Sequence, residues 1–198
     1  MKVYCATSNP GKLREFRLAA GVGFEIVPLI GIPPSEETGE TFEENAIQKA
    51  MYYSRHVTGV LFAEDSGLEV DALGGAPGVR SARFAGEGAS DADNNRLLME
   101  RLHGVGDRSA RYCSAIALAE GGRVLQIFRG EVAGEILGEP RGANGFGYDP
   151  YFLYQPFGLT FAEIAPERKL AVSHRGQAVC RMRDWLFENL LGRHIAVF

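Results

Sequence analysis

One stretch of this chain, Val60 to Gly86, limits its fold more than any other: VLFAEDSGLEVDALGGAPGVRSARFAG. The apolar run Val60-Leu61-Phe62-Ala63 leads into two adjacent acids, Glu64 and Asp65, and then into Ser66-Gly67. An apolar run closed by turn residues reads as a short buried strand, with Ser66-Gly67 as its turn. The carboxylates then stand at the strand's carboxyl end, the edge where open α/β sheets place ligands. Adjacent acids repel, so their joint presence points to a cation sharing the site. A solvated acidic turn accounts for the same residues equally well.

The flanking sequence alternates between strand and helix patterns. Lys2 to Thr7 reads as a first strand, broken by Ser8-Asn9-Pro10-Gly11. Lys12 to Ala20 reads as a helix with Leu13, Phe16 and Ala20 on one face, and Phe24 to Leu29 as a second strand. The helix opening at Thr41 carries Phe42, Ala46, Ile47, Ala50 and Met51 as its apolar stripe, and Thr41 with Glu44 matches a capping box. Ser90 with Asp93 repeats that signal before Leu97, Leu98 and Leu102. Ser109 to Glu120 and Arg123 to Glu131 flank Gly121-Gly122, a two-residue hairpin signal. Ser173 opens a last helix that buries Ala178, Met182, Trp185, Leu186 and Leu190. Gly74 to Gly88 reads as a long loop, and such loops in compact domains are often functional.

A chain of 198 residues can bury a real core as one domain or two joined lobes. Its net charge of −4 offers no general nucleic-acid surface. Cys5, Cys113 and Cys180 fit neither a zinc spacing nor a disulfide framework, so three buried free thiols in a reducing cytoplasm are expected. No apolar h-region follows Met1, and no apolar run reaches membrane-spanning length.

Four polar clusters carry the chemistry. Thr7-Ser8-Asn9-Pro10-Gly11-Lys12 joins a strand to a helix N-terminus, where free N–H groups and a lysine favour an anion; a helix-starting turn with an exposed lysine is the plainer account. Glu43-Glu44-Asn45 opens the Thr41 helix, where acids are favoured by the dipole with or without a metal. Asn144-Gly145-Phe146-Gly147-Tyr148-Asp149 sets an aromatic between two glycines, suited to base stacking or to a tight core turn. Lys169 and Ser173-His174-Arg175-Gly176 put donors at a helix start, against the dipole. A cation so placed usually has an anionic partner, unless water solvates it.

In order along the chain, SNPGKLREF, TFEENA, EDSGLEVDALGGAPGVRSARFAG, GFGYDPYF and SHRGQA resemble the inosine triphosphate pyrophosphatase family, also described as XTP/dITP diphosphatases. The resemblance spans nearly the whole chain. It implies an elongated, two-lobed α/β fold around a long mixed sheet with flanking helices, its active-site cleft between the lobes. It implies one pyrophosphatase domain over residues 1–198, a cytoplasmic homodimer, and a magnesium requirement (Mg2+). It also implies hydrolysis of the purine nucleoside triphosphates ITP, dITP and XTP to the monophosphate and pyrophosphate, with no direct contact to nucleic acid or membrane. Carried over residue by residue, Thr7, Ser8, Asn9, Pro10, Gly11 and Lys12 match the phosphate-binding segment. Asp65 matches the catalytic acceptor and metal ligand, Glu44 a second metal acid, and Ser66 a substrate contact. Phe146, Gly147, Tyr148, Asp149, Lys169, His174 and Arg175 match the nucleoside pocket. Glu64 stands where many relatives have Asp, and Asn144 where many have Gly.

Two other functions compete. A non-catalytic nucleotide-binding module needs Phe146 and Lys12 but no carboxylate pair. A Maf-type pyrophosphatase acts on modified pyrimidine nucleotides, but the SHRG and GFGYD motifs favour purines.

Overall fold

The chain is described by a computed structural model over residues 1–191. Strand β1 (Lys2–Ala6) is followed by α1 (Pro10–Ala20), β2 (Glu25–Pro28), α2 (Phe42–Tyr53), β3 (Leu61–Val70), α3 (Asp91–Arg101) and the hairpin strands β4 (Ser109–Glu120) and β5 (Arg123–Ile136). Short strands β6 (Phe152–Tyr154) and β7 (Leu159–Thr160) precede α4 (Pro166–Val172) and α5 (His174–Leu186). One mixed sheet runs in the order β2-β1-β3-β4-β5-β6-β7. β1 is parallel to β2 and β3, and every pairing from β3 onward is antiparallel. No described helix is long and apolar enough to cross a membrane.

The long hairpin makes the two lobes. β5 has 14 residues, a reach of about 45 Å, and so spans more than one core. At one end α1 and α5 cover Val3, Phe16, Phe62, Ile116, Leu118, Met182 and Leu186. On the opposite sheet face α2 lies over Ala63, Ala115, Ala117 and Ala119, small residues that let the helix approach closely. At the other end Leu68, Leu98, Tyr112, Ile136, Phe152, Phe161 and Ile164 form a separate core. A fully buried phenylalanine such as Phe62 contributes about 1.5–3 kcal/mol.

Local chemistry sets the ends of the elements. Asn9 caps α1 by accepting from Gly11 N and Lys12 N, with Pro10 in the first turn. Both expected capping boxes form, Thr41 with Glu44 and Ser90 with Asp93. Gly121 and Gly122 take φ of 57° and 83°, as a tight hairpin turn demands. Ser173 caps α5 through Gly176 N.

The structure corrects the sequence reading at several points. Ser66-Gly67 is not a turn; β3 runs straight through it, with Gly67 opposite Cys113 of β4. The glycine is needed for close approach, since a Cβ there would collide with Gly78 O and Ser81 Oγ. The carboxylates still mark the end of the parallel part of the sheet, because β1 pairs with β3 only as far as Ala63. Cys180 is exposed, on the outer face of α5, whereas Cys5 and Cys113 are buried. α4, which carries Lys169, and strands β6 and β7 had no clear periodic signal. The Gly74 to Gly88 loop holds the 3-10 segment Gly78–Arg83.

Gly67→Ala should therefore destabilise the fold by about 1–3 kcal/mol through overpacking. The urea midpoint should fall with an unchanged m-value. An unmoved midpoint would mean that the segment Gly78–Arg83 yields freely to a methyl group.

Candidate active site

Glu64 and Asp65 are neighbours in β3, so their side chains leave opposite faces of the sheet. Each finds its own cations. Glu64, almost fully buried, accepts from Lys12 Nζ at 2.7 Å, Arg175 Nε at 3.1 Å and Ser114 Oγ at 2.9 Å. Asp65 takes Lys49 Nζ on Oδ1 at 3.1 Å and Asn45 Nδ2 on Oδ2 at 3.2 Å. The pair thus needs no shared cation to exist, contrary to the sequence argument; the protein's own lysines and arginine neutralise it.

Burial works to raise the Glu64 carboxyl, but Arg175 and Lys12 outweigh it and hold the group well below the usual carboxylate range. Asp65 goes the other way. Burial lifts it above its ordinary value and Glu64 adds to the rise, while Lys49 and Lys12 oppose it. Burial disfavours the Lys49 charge, yet Asp65, Glu37 and Glu64 together hold it on.

From Glu64 a chain of alternating charges crosses the floor of the cleft. Arg175 pairs with Glu64 and, through NH1, with Glu15; Glu15 pairs with Lys169 at 2.8 Å; Lys169 pairs with Asp149 at 2.6 Å. This answers why Arg175 sits at a helix start: Glu15 and Glu64 outweigh the dipole there. Arg175 NH2 also donates to Ser66 Oγ at 2.9 Å. Burial alone would lift Glu15, but Arg175 and Lys169 keep it below its ordinary value. Asp149 is raised, chiefly by burial, despite Lys169. Burial, then the charge of Arg175, drives His174 far below its ordinary value, so its imidazole is neutral. His174 stacks on Tyr112 at 4.7 Å, and its Nδ1 has no partner among the described residues.

Two joined hollows follow this chain. The larger, about 500 Å³, is lined by Thr7, Ser8, Asn9, Lys12, Glu37, Lys49, Glu64, Asp65 and Ser66. The smaller, about 100 Å³, is lined by Tyr112, Phe146, Gly147, Tyr148, Asp149, Lys169, His174 and Arg175. They share Asn9, Lys12, Ser66 and Ala82. Gly11 lies under the Phe146 ring, where a Cβ would stand 2.8 Å from Cδ1. Pro10 begins α1 beside it.

Nearly every expected residue is thus drawn to one cleft. Pro10, Gly11 and Glu44 line neither hollow; Pro10 and Gly11 adjoin them at the start of α1, whereas Glu44 Oε2 accepts from Glu40 N at 2.7 Å and Thr41 N at 3.3 Å. Lys49, Glu37 and Glu15 were not anticipated, and Asn45 was named only within the Glu43-Glu44-Asn45 cluster. Their signal was positional: Asn45 and Lys49 lie four apart on α2, and Lys12 and Glu15 three apart on α1, so each pair shares a helix face. Among the described residues, no three His, Cys, Asp or Glu side chains gather to hold an ion alone. Asp65 and Glu37, which both pair with Lys49 and line the larger hollow, nevertheless offer hard oxygens suited to a cation that fills its remaining positions with water and phosphate.

A family model described as the Ham1 family matches residues 3–185. A dITP/XTP pyrophosphatase of Acidobacterium capsulatum is 51% identical over 192 residues, covering 90% of this chain and 95% of its own. One from Exiguobacterium sp. is 46% identical, covering 92% and 95%. A solved HAM1 protein of Coxiella burnetii superposes with a TM-score of 0.85 at 41% identity, over 95% of this chain and 99% of that one. The Staphylococcus aureus Ham1 protein gives 0.85 at 37% identity, over 95% and 99%.

Glu15 links the charge chain to acid stability. Its depressed carboxyl stabilises the fold above the unfolded value of about 4.3, and that contribution is lost as pH falls through the lower folded value. Glu15→Gln should cost about 3 kcal/mol at pH 6. Urea denaturation should show the gap from wild type closing as pH drops below about 4. A gap independent of pH would remove Glu15 from the network's charge balance.

Proposed function

The chain belongs to the Ham1 family, and on that premise we propose that its cleft hydrolyses the noncanonical purine nucleotides ITP, dITP and XTP to the monophosphate and pyrophosphate. One observation carries this reading. A cation-lined hollow with a buried acid opens directly into a narrow aromatic slot edged by hydrogen-bond donors. A triphosphate needs the first and a flat base the second.

Lys12, Lys49 and the Thr7 to Gly11 segment hold the phosphate chain. A unit charge at about 4 Å is worth roughly 4 kcal/mol at an effective dielectric of 20, so each lysine matters. Asp65 is the acceptor that aligns the attacking water and takes its proton. Its raised basicity suits that role, and Lys49 with Asn45 fixes its two oxygens. Asp65 with Glu37 of the same hollow, or with Glu44 turned in from its cap, would hold Mg2+, which neutralises phosphate oxygens when bound. Ser66 stays oriented by Arg175.

In the slot, Phe146 stacks on the base. Arg175 and Lys169 spend most of their donors on Glu15, Glu64, Ser66 and Asp149. What remains for the base edge is a minority of their N–H groups together with His174 Nδ1. A C6 keto oxygen accepts from such donors, whereas the amino group of adenine opposes them. We read the chain as one catalytic domain, homodimeric and cytoplasmic; light scattering on the purified protein tests the dimer.

Phosphorus NMR of an ITP digest should show IMP and pyrophosphate, with turnover lost on chelation and restored by magnesium. Asp65→Asn should reduce kcat by about 10²–10⁴ while the melting curve keeps its shape. Orthophosphate as the first product, or a fully active Asp65→Asn, would overturn the assignment.

kcat/KM for ITP should exceed that for ATP by about 10² or more. Lys169→Met should narrow the ratio by lowering ITP turnover most. A ratio unchanged in a folded Lys169→Met protein would show that the base edge is read elsewhere.

A further inference from the structure

The first turn of α3 reaches across to the slot. Asp91, Asn94 and Asn95 stand three and four residues apart and share one helix face. Asn94 accepts from Ala85 N at 2.8 Å and donates to Ala82 O at 3.2 Å, fixing the segment that walls one side of the cleft. Asp91 Oδ2 accepts from Gly147 N at 2.7 Å, and Asn95 Nδ2 donates to Gly147 O at 2.9 Å. Both backbone polar groups of Gly147 are therefore held by α3.

Gly147 is the residue after Phe146, and it takes φ of 63°, a conformation that favours glycine. Its neighbours are tied elsewhere: Phe146 N–H donates to Asp149 Oδ2 at 3.0 Å, and the Tyr148 hydroxyl to Ser81 O at 2.8 Å. The pitch of the Phe146 ring over the slot thus follows from how Gly147 is held. Folding of α3 does not by itself call for this contact. Ser90 and Asp93 already cap the helix, and Leu98 and Leu102 supply its apolar contact. An acid in the first turn is favoured by the dipole, but the dipole does not direct it onto one particular N–H.

We propose that Asp91 and Asn95 are positioning residues for the nucleobase, clamping Gly147 so that Phe146 holds the base edge against Lys169 and His174. This rests on the reading of the slot as the base site. Stacking alone is indifferent to the base. Selectivity then depends on where the stacked base comes to rest, and a displacement of about 1 Å can cost roughly 10²-fold.

The test is steady-state kinetics on ITP, XTP and ATP. Asp91→Ala should raise KM for ITP about 10-fold, the loss of one charge-assisted hydrogen bond, with kcat changed less than about 2-fold. The ITP to ATP preference should narrow with it. Asp91→Asn, which keeps an acceptor for Gly147 N–H, should recover most of the loss. In a Phe146→Ala background, Asp91→Ala should add little, because the ring it positions is gone. Asp93→Ala disturbs the cap of the same helix without reaching Gly147 and should leave both constants alone. Should Asp91→Ala fail to fold, the same comparison on Asn95→Ala decides. An unchanged KM, a full effect that persists without Phe146, or an equal effect from Asp93→Ala would overturn the clamp. Wild-type turnover separates this from the underlying reading: a chain inactive on ITP and XTP ends both, whereas an active chain indifferent to Asp91 ends the clamp alone.

Discussion

The buried carboxylate of Glu64 is the interaction on which the cleft depends. It begins a chain of alternating charges, Lys12, Glu64, Arg175, Glu15, Lys169 and Asp149, with plus and minus in strict succession. The members come from α1, β3, α4, α5 and the loop before β6, and their charges cancel. Isolated buried charges are costly to desolvate, and a pair recovers that cost only with good geometry and full hydrogen bonding. Here each interior member has a partner on either side. The gain in net stability over an apolar floor is small by the same argument. What the chain does supply is a fixed position for polar groups that must face a ligand, at a severe penalty for removing any one of them.

The division between Glu64 and Asp65 follows from strand geometry. Period-two alternation sends the first toward α5 and the second toward α2. Glu64 is held far into its ionised form and serves the scaffold. Asp65, lifted by burial and by its neighbour, keeps the basicity that its proposed role as proton acceptor needs. Two carboxylates adjacent in sequence thus come to different chemical roles because they stand in different surroundings.

Much of this was legible in the chain. Capping boxes are local, so Thr41–Glu44 and Ser90–Asp93 were readable from spacing alone. The Gly121-Gly122 turn was equally local. The motif order located the cleft residues from Thr7 to Arg175. What could not be read was non-local. Ser66-Gly67 resembles a turn, yet its glycine answers to Ser81 and Gly78 packed against it. Lys49 resembles an ordinary surface residue of an amphipathic helix until β3 brings Asp65 beneath it. Glu44 carries the family's metal-site spacing, but its visible work is capping, which the same residue type at the same place would do in any helix. Cys180 lies in an apolar stretch, but helix phase turns it outward.

The contact between Gly11 and Phe146 explains why the two hollows act as one. A side chain at residue 11 would push the ring away, so the Thr7 to Lys12 segment and the Phe146 loop are built against each other. Lys12, one residue on, grips Glu64, and through Arg175 and Glu15 the same chain reaches Lys169 beside the slot. On the proposed function, a base that does not settle under Phe146 presses on the segment assigned to the phosphates. Binding energy gained at the base can then be used to align the phosphate chain over Asp65, which is where differential stabilisation of the transition state has its effect. On the proposed reading, the groups assigned to the base and the groups assigned to the phosphates are thus parts of a single network.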